Sequence, residues 1–192
     1  MTIRMLYRVG AGAAFVAGLC ILLQRLVFDL ALPGALLRVG TLVPEVGLIA
    51  LTSLYLKSRE ALGALGAWGF FLNFLGLAYL GCLDFARHYI LDQLDPGAVS
   101  ALLSGPEKFV FLAVALLFIV GILLFGAALL LRSPYSRIGT VLYTLGFAAF
   151  ALNAWMPPLA ATAVQIVGAA GVILLGRSLW MLNAAEPQPA GS

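Results

Sequence analysis

The sequence predicts an all-α fold, a polytopic membrane helix bundle of about six transmembrane helices with both termini in the cytoplasm. Three observations carry this. Hydrophobic residues make up 63% of the chain and charged residues 10%. Soluble domains carry roughly 25% charged residues, so this chain lacks the polar surface that water would require. Apolar runs of about 20 residues, the length that crosses a bilayer core, recur from end to end. Basic residues gather at alternate ends of those runs, the asymmetry of the positive-inside rule. The short alternating segments of a membrane β-barrel do not occur.

Taken in order, the first span is expected over 7–28, behind Arg4 and Arg8. Its basic start and apolar run resemble a signal peptide, but the run continues to Phe28 without a small-residue cleavage site. Gly10, Ala14 and Gly18 recur every four residues, a spacing that lets helix backbones approach closely. The second span is expected over 36–56 and the third over 61–83, the latter carrying Gly63, Gly66, Gly69 and Gly76. A long outer connection, 84–107, comes next. Phe85 to Leu91 mixes apolar and polar residues as interfacial stretches do. Asp95-Pro96 then reads as an N-cap before a short helix, ended by Gly105-Pro106, that can cover an outward-facing cavity. The remaining spans are expected over 108–131, 138–156 and 159–181. These spans form one transmembrane domain, 1–183, and the Pro- and Ala-rich tail 184–192 is expected to be disordered.

On this layout Arg4, Arg8, Lys57, Arg59, Arg132, Arg137 and Arg177 share the cytoplasmic side. Asp29, Asp84, Asp92, Asp95 and Glu107 share the other, where Arg87 and Lys108 sit among acidic neighbours. Two internal echoes accompany it. Gly66 to Asn73 resembles Gly146 to Asn153, and three spans end in a basic residue followed by serine: Lys57-Ser58, Arg132-Ser133 and Arg177-Ser178. Duplicated hairpins would produce both, as would positive-inside selection acting on a Leu/Gly/Ala-rich chain.

Glu45 is the leading candidate site residue. It falls near the centre of 36–56 and hence near the bilayer midplane, where a charge costs roughly 2.5–3.5 kcal/mol. Such a group must face protein or water. Pro44 lacks an N–H and is expected to kink the helix, freeing the carbonyl of Gly40 one turn back. Arg38 lies two turns before Glu45 on nearly the same face. Gln24 and Arg25 end the preceding span near Asp29, with which Arg25 can also simply pair. Asn73, Asn153 and Gln165 are the other polar side chains expected at depth, as ligand contacts or as interhelical hydrogen bonds.

Several chemistries are excluded. A net charge of +3 scattered over helix ends is no nucleic-acid footprint. A single histidine, His88, rules out bis-histidine haem and His-rich metal sites. No lysine lies within a span to carry a retinal Schiff base, and Cys20 and Cys82 fall at depths about 10 Å apart, unsuited to a disulfide. No cofactor or metal is expected.

Two stretches resemble a family of uncharacterised bacterial six-span membrane proteins known only as a domain of unknown function. They are Arg38-Val-Gly40 with Glu45 soon after, and Gly126 through Arg132-Ser133 to Ser136-Arg137-Ile-Gly139. The resemblance implies a six-helix protein of the bacterial cytoplasmic membrane and supplies no activity. The first functional expectation is therefore binding or translocation of a small amphipathic or lipid-like molecule in an outward-facing cavity. Glu45 would be its polar anchor, with Arg38 and Arg25 at the head group. The second is a non-catalytic membrane subunit, in a homo-oligomer or larger complex, whose polar residues fix packing or docking. An intramembrane enzyme using Glu45 as general acid or base comes third, for want of a second catalytic group.

Overall fold

The computed structural model describes residues 2–29, 40–106, 108–152 and 156–185. Helix α1 spans Ile3–Asp29, α2 Val43–Tyr89, α3 Pro96–Ser104, α4 Lys108–Arg132, α5 Arg137–Phe150 and α6 Pro158–Ala184. Short 3₁₀ turns at Gly40–Leu42 and Leu91–Gln93 flank α2. No strand occurs among the described residues. Helices α1, α2, α4 and α6 are long and apolar enough to cross a membrane. Helix α5 is apolar but has 14 residues, about 20 Å of helix.

The defining event of the fold is in α2, where Gly63 takes φ +59° and ψ −155°. That backbone region is open essentially to glycine alone. It reverses the chain, so α2 is two antiparallel arms, 43–62 and 64–89. The rings of Tyr55 and Phe70 stack at 4.2 Å across the arms. Gly47 lies against Leu77, and Gly81 against Glu45. Each of these pairs is spaced nearly evenly about Gly63.

The helices then close a circuit. The first arm packs on α1, where Ser53 Oγ donates to the Leu6 carbonyl at 3.3 Å beside Gly10. The second arm packs on α4, with Gly69 against Phe125, Gly76 against Phe118 and Gly121 against Asn73. Gly126 receives Thr144 of α5, and α5 meets α6 at Gly146, Gly168 and Gly171. Gly18 and Gly176 seat α6 against α1. Tails of lipids are as apolar as leucine, so close approach at such small residues, rather than a hydrophobic drive, holds helices together in a bilayer. Gly69 and Gly76 of the expected third span are thus packing positions.

These contacts fix which helix ends are neighbours. Arg4 of α1 and Asn183 of α6 meet at one end, where the Asn183 amide donates to the Arg4 carbonyl at 3.4 Å. The ends of the first arm and of α4 lie there too, tied by Tyr135. The largest cluster of buried apolar side chains, including Tyr7, Leu54, Leu62, Leu129, Tyr135 and Leu179, is built toward this basic end.

The helix bounds differ from expectation chiefly at α2. Of the span expected over 36–56, residues 36–39 lie outside the described residues, Gly40–Leu42 form the 3₁₀ turn, and α2 starts at Val43 with Pro44 in its first turn. There a missing N–H costs nothing, because first-turn donors have no intrahelical acceptor. The helix therefore shows no kink at Pro44. Gly40 opens the 3₁₀ turn instead, and the break lies at Gly63. The second arm also runs on to Tyr89, so Phe85 to Tyr89 end a helix rather than begin the outer connection. The expected tail lies beyond the described residues from residue 186 onward.

Candidate functional site at the acidic end

Glu45 is placed by the start of α2. Leu42 offers no side-chain cap, and Glu45 is the one acidic residue in the first turn, where a carboxylate offsets the positive end of the helix dipole. It is exposed at the acidic end of the bundle, while Pro44 behind it is buried. The expected midplane depth of Glu45 counted helical turns from residue 36, and 36–39 lie outside the described residues.

Opposite, the second arm provides Gly81. A Cβ placed there would sit 2.7 Å from Glu45 Oε1 and 3.2 Å from Pro44 Cβ, so the carboxylate rests where any larger side chain would stand. Asp84 comes within one turn of Gly81. It is half-buried and lies within electrostatic range of His88, Arg87 and Glu45. His88 bridges two carboxylates on its own helix face, with Nε2 3.7 Å from Asp84 Oδ1 and Nδ1 3.5 Å from Asp92 Oδ2. His88 thus links Asp84 to Asp92, and Glu45 lies within electrostatic range of Asp84 across the hairpin. Beyond Asp92 lies an open depression of about 660 Å³ lined by Leu91, Asp92, Leu94, Pro96, Val99, Ser100 and Ser104. Among the described residues no cluster of three or more His, Cys, Asp or Glu can hold a metal ion, and Cys20 and Cys82 are free thiols.

Among the other expected site residues, Asn73 sits about two turns from Gly81 along the second arm. Asn73 is fully buried in the second arm, and its Nδ2 donates to the Tyr143 hydroxyl of α5 at 2.6 Å. Its Oδ1 has no partner, nor has Thr144 Oγ1 on the neighbouring helix. Gln24 is half-buried toward the C-terminal end of α1, and Gln165, half-buried in α6, is engaged in a polar contact of its own. Arg25 belongs to α1. Arg38 and Asn153 lie outside the described residues.

One cluster has no counterpart among the expectations. The turn between α4 and α5, Ser133-Pro134-Tyr135-Ser136, draws in all three basic–serine pairs. Tyr135 is 4% exposed, and its hydroxyl donates to the Leu54 carbonyl at 3.0 Å, near Ser58. Ser133 Oγ donates to the Leu129 carbonyl at 2.7 Å. Ser178 Oγ accepts from the Ser136 N–H at 3.2 Å, and Ser136 Oγ caps α5 through the Gly139 N–H at 3.1 Å. Burial pushes the Tyr135 phenol up to about 12. The echo of Lys57-Ser58, Arg132-Ser133 and Arg177-Ser178 was the available signal: three similar segments of different helices meeting one turn. Nothing local marks Tyr135 itself, whose partner lies 81 residues away.

Compared with protein-family models, with curated proteins and with solved structures, the chain matches none of them.

Proposed function

We propose that the chain is a six-span protein of the bacterial cytoplasmic membrane, with both termini cytoplasmic. Its outer end binds the cationic or zwitterionic head group of a small amphipathic molecule. The two arms of α2 count as two spans, and α5 with the residues after it as a fifth. The single observation that supports the binding role is the Glu45 carboxylate seated over Gly81 beside Asp84. Two carboxylates brought together across a helix hairpin repel each other, and an amine or quaternary ammonium entering between them relieves that repulsion. Apolar side chains along the lipid-facing helices would carry the tail. The likeness to uncharacterised six-span membrane proteins belongs to the same reading.

The test is ligand-induced thermal stabilisation of the purified chain with alkylammonium and zwitterionic amphiphiles. Glu45→Gln and Asp84→Asn are each expected to weaken a cationic probe about 10-fold while leaving unliganded stability near wild type, as fits loss of one charge contact worth ~1–1.5 kcal/mol. Equal stabilisation of wild type and both variants would sink the binding role.

The Asn73–Tyr143 contact supports a second reading, a non-catalytic membrane subunit whose buried polar groups serve packing. Here Asn73→Leu lowers stability by about 1 kcal/mol, the scale of interhelical hydrogen bonds in membranes, and leaves probe binding unchanged. A loss of binding with full stability would move Asn73 from packing to ligand contact.

A further inference from the structure

The outer connection carries a helix that the rest of the chain scarcely covers. In α3, Asp95 accepts from the Gly97 and Ala98 N–H groups at 2.9 and 3.3 Å, which sets the start of the helix at Pro96. No charged residue lies between Pro96 and Pro106. Pro96, Gly97, Ala98, Ser100, Ala101, Leu102 and Ser104 are exposed. Yet a nine-residue helix is far below the ~12–15 residues at which isolated helices become even marginal in water.

The helix has two distinct sides. Val99, Ser100 and Ser104 face the depression shared with Leu91, Asp92 and Leu94. At about 100° per residue, Ala98, Ala101 and Leu102 fall on the opposite side. That side is apolar and turned away from the chain.

The ends of the connection fix its level. Where α2 ends, the rings of Phe85 and Tyr89 stack at 4.7 Å. Where α4 begins, the Lys108 ammonium lies 5.3 Å from the Phe109 ring centre. Aromatic rings and snorkelling cations at helix ends mark the boundary between head groups and acyl chains. Ile90, Leu94 and Phe109, at 52%, 48% and 63% exposure, continue the apolar surface from the helix ends toward α3. A helix about 13 Å long between these two anchors stays at their level.

We propose that α3 lies in the plane of the membrane, its Ala98–Ala101–Leu102 side immersed in the outer head-group boundary of a phospholipid bilayer. The partner is the lipid surface itself. The serine side then faces inward over the depression. This placement rests on the chain being a membrane protein and does not depend on the Glu45 site.

The experiment uses the full chain with Cys20→Ser and Cys82→Ser, reconstituted into phosphatidylcholine–phosphatidylglycerol vesicles. A nitroxide is attached to Leu102→Cys and, separately, to Ser100→Cys and Asp95→Cys. Collision rates with oxygen, which partitions into lipid, and with a water-soluble nickel chelate report depth. The expected result is an oxygen-to-nickel ratio at 102 several-fold above that at 95, with 100 between them. A ratio at 102 equal to that at 95 would overturn the proposal in favour of a water-facing helix. Dipolar broadening at 102 that vanishes on dilution with unlabelled chain would overturn it in favour of a second copy. Low collision rates with both reagents would do so in favour of a site closed over by the depression. Labelled variants that elute and melt as wild type validate the comparison, and Ala101→Cys supplies the same readout where Leu102→Cys fails that standard.

Discussion

At the scale of single residues, position within an element decided what each polar group does. Glu45 owes its place to the helix start and to the absence of a side chain at Gly81. Tyr135 owes its role to burial. Its phenol is held near 12, above the ordinary value of 10, because burial penalises the phenolate. The raised value means that this stabilisation is complete below pH 10 and is lost as pH climbs toward 12. Two units correspond to about 2–3 kcal/mol. Tyr135→Phe is expected to lower stability by about 1 kcal/mol at neutral pH through the lost bond to Leu54, and to flatten the decline between pH 10 and 12. Chemical or thermal unfolding in detergent across that range checks it; an unaltered alkaline decline would mean that another group sets it.

At the scale of elements, α2 shows what hydropathy can and cannot read. The apolar stretches behind its two arms were legible, as were α1, α4 and α6, because about 20 apolar residues are a direct physical requirement of crossing a bilayer. The start of α2 at Val43 was not, because a hydropathy window does not see a helix boundary. Pro44 carried that boundary: proline at the first helical turn is a start signal as readily as a kink. Reading it as a kink missed that Glu45 stands in a first helical turn. Gly63 was legible as a packing glycine but not as the reversal point, since its conformation depends on how two flanking arms meet. Gly63→Ala is expected to cost about 1–3 kcal/mol, the penalty of a glycine-only backbone region. Its added Cβ would also lie 3.0 Å from Arg132 Nη1. Thermal unfolding of the purified variant measures this, and a stability equal to wild type would mean the turn has another low-energy geometry.

At the scale of the molecule, charge is sorted along the bundle axis. Lys57, Arg132, Arg137 and Arg177 surround the Tyr135 turn, whereas Glu45, Asp84, Asp92 and Asp95 lie at the far end. Under the six-span proposal, a membrane-impermeant thiol reagent applied to intact cells modifies a cysteine at Asp95 and spares one at Glu60 or Arg137, in a chain freed of Cys20 and Cys82. Modification at both ends would end the two-sided arrangement. Asymmetry of this kind was readable from where the charges fall along the sequence. The pairings that join Glu45 to Gly81 and Leu54 to Tyr135 were not, since each depends on which helices become neighbours.

The packing of α6 against α1 has a consequence for how the protein is made. Gly18 and Gly176 give the first helix its final neighbour only when the last one has been synthesised. Until then the α1 face around Ala11, Ala14 and Gly18 has no protein against it, and the nascent chain waits in the bilayer with an open seam. Premature termination anywhere before Pro158 would leave that seam permanently open. Quality-control proteases could then recognise such a fragment by its missing wall rather than by any exposed loop.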